Sequence, residues 1–548
     1  MQAKIFEDIS IDVIKSISKF NNEPTWMLKY RLESLRKFQD SPVEKSNLFT
    51  KYSEFLTGFD LENIELNKKR GDLEIETEHR GRNIDFLQVD DQIIQGKEYN
   101  NTAYKNLILT DISSAIKKYP ELVKKYLNKT NRDKLEYLAD ALFKSGIFFY
   151  VPKGTKISET IRYINRQESL NQGIFNKNMI ILEDSSNLSL FIEHYSSSKH
   201  TKNDKNIFGY SQDIFVEKNA KLMLSEIELF GNNIISLMNK KIEIKDGGTA
   251  NLASAYLGGN ITRTKSYSHL IGTNSRVDDL HIVIGTQEEK HDLVVSVYHS
   301  GTNTKGVVDV KGVMSDRAQM TLKGMNKIEN QAHNADTFLG GHAILLGGEA
   351  RANIIPGLEI DNRNVKAKHS AAVAPIDEDL LFYLQSRALD KGTSIRLIIT
   401  GFLESIVKRI EIPSVKEQIT EMIEFKFNNM SLQTSKKLIE KTVPVKGKFE
   451  KVCKVTDIPV GTMKNFDLND KSILISNIQN KIFATGGQCT HQEVNLEDGF
   501  ITGMELTCPV HLSKFDLNTG QAINLPAVKE LQIYNVKIEN NEIYIEID

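Results

Sequence analysis

The chain is predicted to be multidomain and mainly β, with helical segments before and after a long strand-rich stretch and a small antiparallel β domain at its C-terminal end. Three observations predict this. Between Pro152 and Pro356 there is no proline, and the stretch reads as short alternating segments such as Leu280-His281-Ile282-Val283-Ile284 and Leu293-Val294-Val295-Ser296-Val297, parted by polar turns. Apolar residues recur at helical spacing on either side of it. Beyond residue 448 alternation returns, at Leu531, Ile533, Val536, Ile538, Ile543 and Ile545, after two short cysteine-histidine boxes. At 548 residues with 40% hydrophobic composition, the chain has enough length for several sizeable cores.

Residues 1–150 carry the first helix signals. Ile5, Ile9, Ile11, Val13-Ile14 and Ile17 recur near helical spacing, as do Met27, Leu28, Leu32 and Leu35, and then Tyr137, Leu138, Leu142 and Phe143. Between them, residues 58–105 are charged and Asn-rich, with one short apolar alternation at Ile84, Phe86 and Val89. Residues 151–375 form the all-β unit, and glycine is expected in its turns: Gly272, Gly285, Gly301, Gly306, Gly312, Gly324, Gly340-Gly341 and Gly347-Gly348. Periodicity alone leaves a sandwich, a barrel and a solenoid open, although turns recurring about every ten residues are consistent with a degenerate β-helix. Residues 376–430 include an amphipathic stretch, Val415, Ile419, Met422-Ile423 and Phe425. Residues 431–447 read as a linker; Lys436-Lys437, Lys441 and Lys446, with Lys448 and Lys451 beyond it, make a solvated basic stretch or a surface for an acidic partner.

Composition removes several function classes. With 70 basic and 72 acidic residues the net charge is −2, so no global field draws the chain to nucleic acid or to an anionic membrane. The N-terminal MQAKIFEDIS lacks a signal-peptide apolar core, and no apolar run approaches the about eighteen residues of a membrane span. Only three cysteines occur, Cys453, Cys489 and Cys508, which argues for a reducing compartment and a cytoplasmic protein. Cys453 reads as a buried strand thiol. Neither Gly96-Lys97-Glu98 nor Gly447-Lys448-Phe449 belongs to a phosphate-binding Gly-x-x-x-x-Gly-Lys-Ser/Thr loop, so ATP chemistry would come from a partner. His333, Asp336 and His342, or His291 and His299, lack metal-ligand spacing and are given no role.

The boxes are Cys489-Thr490-His491 and, after sixteen residues, Cys508-Pro509-Val510-His511. Two thiolates and two imidazoles in C-x-H and C-x-x-H pairs suit a Rieske-type 2Fe-2S centre, with both sulfurs on one iron and both nitrogens on the other. A closed zinc site uses the same residue types. The surroundings, Gly486-Gly487-Gln488 before the first box and Phe515-Asp516, Thr519-Gly520 and Pro526-Ala527 after the second, resemble the soluble Rieske ferredoxin family. That resemblance implies Cys489 and Cys508 on one iron and His491 and His511 on the other. High-potential members carry an extra cysteine in each box and a tyrosine donor; here Val494, Val510 and Phe515 stand there, implying a lower potential. Ser513 matches a serine donor, and Leu512 replaces the family glycine, which puts that loop's backbone in question.

Elsewhere, Leu358-Glu359-Ile360, Val365, His369, Ala371, Asp377-Glu378 and Phe382-Tyr383-Leu384-Gln385-Ser386-Arg387 follow one recognisable pattern, and Glu23-Pro24-Thr25-Trp26-Met27 another. Together they resemble the SufB/SufD family of iron-sulfur cluster assembly scaffolds, over residues 15 to about 430. The resemblance implies an N-terminal helical region (1–150), a central right-handed parallel β-helix (151–375) and a C-terminal helical region (376–430) that docks the SufC ATPase. A Rieske domain at 448–548 follows. SufB-type members carry cysteines in the core and the scaffold part here contains none, so the chain is SufD-like; it departs from many SufD sequences at Ala367, where they place a cysteine two residues before the histidine. His369 is the candidate assembly-site residue, matching a histidine near the SufB-SufD interface.

The expected function is a non-enzymatic scaffold subunit and electron carrier. It would pair with a SufB-like subunit through the β-helix, or with itself, bind a SufC-like ATPase, and receive electrons from an unidentified donor. The competing class, a Rieske-dependent oxygenase, requires the reverse domain order and a mononuclear iron triad.

Overall fold

The structure, a computed structural model, describes residues 9–41, 84–96, 106–127, 133–196, 205–429, 448–468, 471–478, 481–492, 494–510, 512–524, 526–539 and 542–547. They fall into two units: the N-terminal helices with Ile84–Val415, and Lys416–Asp548.

In the first unit the chain alternates between two parallel sheets. One sheet takes Lys156–Gln167, Asn187–Ser196, Lys221–Leu229, Thr249–Tyr256, Arg276–Gly285, Lys305–Met314, Asp336–Leu345 and Lys366–Pro375 in that order. The other takes Ile147–Val151, Gly173–Leu182, Asn206–Val216, Ile234–Ile244, Ile261–Leu270, Lys290–His299, Gln319–Ile328 and Arg351–Ile360. The result is a β-solenoid of about eight coils, so of the three architectures left open by periodicity the solenoid is the one adopted.

A single coil cannot bury its own apolar face, and stacking solves this. Ile161, Leu190, Leu224 and Leu252 lie in register on successive coils of one sheet, and Leu293, Leu322 and Ile354 on the other. Most of these side chains join one continuous core along the solenoid axis, with Ile354 packed against it.

The turns stack too. Ser185, Asn219, Gly247, Asn274, Asn303 and Asn334 all have positive φ. Each donates its N–H to a carbonyl of the next coil, those of Lys218, Asp246, Thr273, Thr302, His333 and Asn364, at 2.8 or 2.9 Å. Asparagine tolerates this left-handed conformation better than most residues, which explains its recurrence. The turn glycines expected from the sequence are only partly in turns: Gly306, Gly312, Gly324, Gly340 and Gly341 lie inside strands. Their role there is room rather than flexibility, since a Cβ on Gly312 would meet Met320 Sδ at 2.4 Å and one on Gly341 would meet Leu322 at 2.6 Å.

At the N-terminal end, helices α1 (Ile11–Phe20), α2 (Thr25–Asp40), α3 (Ile112–Lys118), α4 (Pro120–Leu127) and α5 (Lys134–Leu142) pack on the second sheet around Ile14, Met27, Ile116, Tyr126, Leu138 and Phe215. Ser10 caps α1, and Asp133 with Glu136 forms a reciprocal capping box on α5. Arg31 is fully buried on α2, where it pairs with Glu23 at 2.6 Å and donates to the Ala141 carbonyl, so no charge is left unmatched. The Ile84, Phe86, Val89 alternation belongs to a hairpin, Phe86–Val89 and Gln92–Gly96, that closes the first edge of its sheet.

At the far end come α6 (Glu378–Ser386), α7 (Lys391–Val407) and α8 (Pro413–Asn429). Lys311 donates to the Phe402 carbonyl, and Arg409 bridges Asp278 at 2.9 Å and Asp309 at 3.3 Å, pinning the end of α7 on the first sheet. On α8, Val415, Ile419, Ile423 and Phe427 are buried at one helical spacing. The second unit holds three three-stranded antiparallel sheets: Lys448–Lys454 with Glu542–Ile547 and Val536–Glu539; Met463–Leu468, Lys471–Ile478 and Lys481–Gly486; Phe500–Thr502, Glu505–Thr507 and Lys514–Asp516.

Candidate metal centre

Two loops of the second unit bring the cysteines together. Cys489 follows strand Lys481–Gly486, and Cys508 follows strand Glu505–Thr507 directly. The loops close alike: Cys489 N–H donates to the Val494 carbonyl at 2.7 Å, and Cys508 N–H to the Ser513 carbonyl at 2.8 Å. Each closure runs from the cysteine to the fifth residue after it.

Both cysteines are buried within one apolar cluster that includes Leu474, Leu496, Leu506, Phe515, Leu517 and Leu531. Their thiols are in hydrogen-bond contact, and this contact, reinforced by burial, pushes Cys489 far above the usual thiol range. A buried thiol whose ionisation is opposed by a neighbouring sulfur is the arrangement a shared cation relieves. The donor set therefore fits a metal group held by both sulfurs. By contrast Cys453 lies on an outer strand, alone and 7% exposed, and burial pushes it up to about 11.

The second loop pays for its shape in one place. Leu512 has φ +55, the left-handed region that glycine takes freely, and its N–H donates to the Cys508 carbonyl at 3.1 Å. Asn524 Nδ2 donates to the Leu512 carbonyl at 3.0 Å, holding the strained peptide from its other side. Leu512 thus adopts the conformation that its replacement of a glycine put in question. Ser513 is fully buried and its hydroxyl accepts the Ala527 N–H at 2.9 Å. A Cβ on Gly487 would lie 2.5 Å from Ser472 Oγ and crowd the Asn465 amide, so both side chains would have to shift.

His491 sits at the mouth of the first loop, its side chain 5% exposed, with Nε2 3.2 Å from Glu421 Oε2 of α8. His511 lies outside the described residues. Among the described residues no three His, Cys, Asp or Glu side chains converge, so the Cys489–Cys508 pair is the nucleus of the site. His369 is in the other unit, exposed on the last strand, Lys366–Pro375, opposite Leu339. His333 meets Asn362 at 2.9 Å, His342 meets Ser370 at 3.0 Å, and His299 meets Thr304 at 2.7 Å, contacts suited to structural histidines.

One polar cluster was not visible in the sequence. His194, Tyr210, Gln212, Glu226, Glu228, Lys240, Asp279 and His281 are all buried within the solenoid, with Lys240 paired to Glu226 and His281 Nε2 2.9 Å from Asp279. Only the register of stacked coils brings these residues together. Glu421 was missed for a similar reason, because α8 read simply as amphipathic.

Comparison with known proteins follows the same division. Residues 79–163 match the model of the SufBD protein N-terminal region, 163–402 that of the SUF system FeS cluster assembly SufBD core domain, and 448–535 that of the Rieske [2Fe-2S] domain. The chain is 27% identical over 435 residues to iron-sulfur cluster assembly protein SufD of Bacillus subtilis (strain 168), covering 76% of this chain and 98% of that one. It is 24% identical over 437 residues to an iron-sulfur cluster assembly SufBD family protein of Staphylococcus saprophyticus, covering 74% and 92%. Among solved structures it is similar to the ferredoxin of carbazole 1,9a-dioxygenase from Nocardioides aromaticivorans IC177, at 24% identity, TM-score 0.18, 18% of this chain and 99% of that one. It is also similar to the Sphingomonas yanoikuyae B1 ferredoxin, at 26% identity, TM-score 0.18, 18% and 100%.

Proposed function

Because this chain belongs to the SufBD family of iron-sulfur cluster assembly proteins and carries a Rieske [2Fe-2S] domain, we propose that it is a SufD-type assembly scaffold that brings its own electron carrier. The observation that carries this reading is the buried, touching pair of Cys489 and Cys508 at the ends of two equivalent loops.

In this reading Cys489 and Cys508 bind one iron and His491 and His511 the other, and the cluster, when bound, supplies a one-electron couple. The apolar shell around both thiols keeps water from the sulfurs, and Ser513, whose oxygen accepts the Ala527 N–H, keeps its own hydroxyl proton as a donor available to the cluster. Val494, Val510 and Phe515 add no further donors, which sets a low potential. Assembly needs iron, sulfide and electrons, and one polypeptide holds the electron carrier near the scaffold at an effective concentration in the millimolar range.

A SufB-like subunit and a SufC-like ATPase are the partners, through the last coil and the C-terminal helices, with His369 at the assembly site. Pairing with a second copy through the same coil is the competing assembly. The scarcity of cysteine suits the reducing cytoplasm.

The test uses the full chain purified without oxygen. A coloured protein with iron and acid-labile sulfide, and loss of both in Cys489→Ser and Cys508→Ser, is the expected result; a colourless protein containing zinc would overturn it. In reconstitution with copurified partners, the same variants are expected to slow cluster formation while leaving the partners bound.

A further inference from the structure

The second unit places a carboxylate from α8 against the outer edge of a cluster-loop histidine. Glu421 and His491 belong to the same unit, and Oε2 of one lies 3.2 Å from Nε2 of the other. That Oε2 is buried and accepts no hydrogen bond from the described residues, although the Glu421 side chain as a whole is 37% exposed, so it is an acceptor still in need of a donor. Nε2 is within N–H···O distance of this oxygen but off the line of a hydrogen bond, so a small turn of the imidazole is what would bring its proton onto the carboxylate.

We propose that Glu421 is the positioning residue of His491: it accepts the Nε2 proton, holds the imidazole in the tautomer whose Nδ1 lone pair is available to iron, and makes the ring a stronger electron donor. The inference rests on the reading that His491 binds the cluster. A neutral imidazole has one donor nitrogen and one acceptor nitrogen, so fixing the proton on Nε2 fixes the lone pair on Nδ1. Ligating histidines commonly give their second N–H to a carboxylate, which orients the ring and raises its basicity.

The electrostatic direction follows. A negative carboxylate beside an iron ligand stabilises the more positive, oxidised cluster, so Glu421 lowers the reduction potential. The residue sits on α8, whose first residues belong to the scaffold unit and the remainder to the cluster unit.

The experiment is spectroelectrochemical titration of the full chain at one fixed pH, with iron content and the electron paramagnetic resonance spectrum recorded for wild type, Glu421→Gln and Glu421→Asp. Glu421→Gln is expected to shift the reduction equilibrium at least tenfold toward the reduced form, about 59 mV for one electron. Glu421→Asp, which keeps the carboxylate, is expected to lie nearer wild type. If Glu421→Gln loses iron, retention in Glu421→Asp supports the positioning role and equal loss in both overturns it. Full iron with an unchanged potential and spectrum in Glu421→Gln also overturns it, whereas a colourless wild type sinks the cluster reading itself.

Discussion

His194 and Glu228 stand in register on neighbouring coils, both fully buried, and burial drives their charges out in opposite directions. Packed against the rings of Phe208, Tyr210 and Phe230, His194 is pushed down to about 3 by burial and then by the Lys240 charge. Glu228 is pushed up to about 8 by burial, against hydrogen bonds accepted from Thr262 at 2.7 Å and Ser236 at 3.0 Å. Each therefore links stability to pH at about 1.4 kcal/mol per pH unit while its folded and unfolded forms differ in protonation. For His194 the unfolded state binds the extra proton between about 3 and 6.5, so stability rises with pH there. For Glu228 the folded state holds the extra proton between 4.5 and about 8, so stability falls with rising pH. The two slopes oppose each other between 4.5 and 6.5; below that window His194 acts alone, and above it Glu228 does. Urea unfolding of the solenoid is therefore expected to show stability declining from pH 6.5 to 8, and Glu228→Gln is expected to flatten that decline. A slope unchanged in the variant would assign the effect elsewhere. None of this was legible in the sequence, where His194 and Glu228 are 34 residues apart and neither belongs to a motif.

The stacked turn is the element on which the solenoid depends. Asn303 has φ +56, donates its N–H to the His333 carbonyl, and accepts from Asn334 Nδ2 at 3.1 Å, while Asn364 Nδ2 continues the ladder to Asn334 at 2.8 Å. An alanine in that conformation costs roughly 1–2 kcal/mol. Asn303→Ala is expected to lose about that much in chemical denaturation, and Asn303→Gly to lose less; equal losses would mean the ladder rather than the backbone sets the cost. The element also shows why the strand-rich region was legible and its coiling was not. Alternation at Leu280–Ile284 and Leu293–Val297 reports strands, and both are found, in Arg276–Gly285 and Lys290–His299. A coil, however, demands only a left-handed-tolerant residue at each turn; asparagine recurs at Asn219, Asn274, Asn303 and Asn334, but Ser185 and Gly247 meet the same demand, so no single letter marks every coil. The cysteine boxes were legible because metal chemistry restricts their residue types; α8 and Glu421 were not, because a helix with one apolar face has many possible neighbours.

At the scale of the whole molecule, one face of α6 is left open. Phe382 is 73% exposed and Tyr383 52% exposed, large aromatics of the kind that anchor interfaces. They lie within residues 376–430, the region proposed above to dock a SufC-like ATPase. Phe382→Asp is expected to cost about 2 kcal/mol or more in partner binding, some 30-fold, and to reduce recovery of a SufC-like ATPase without changing iron content. Loss of iron together with the ATPase would show that the two units do not work separately. The scaffold was readable across most of its length because its motifs are spread from Glu23 to Arg387, and no helix among the described residues is long and apolar enough to cross a membrane.

The side-by-side thiols of Cys489 and Cys508 carry one last consequence. Every newly translated copy starts without the prosthetic group those sulfurs await, so a builder of such groups begins its own life as a customer. Its supply is then self-referential: older, already charged molecules, or a separate assembly line, must equip each generation before it can serve the next.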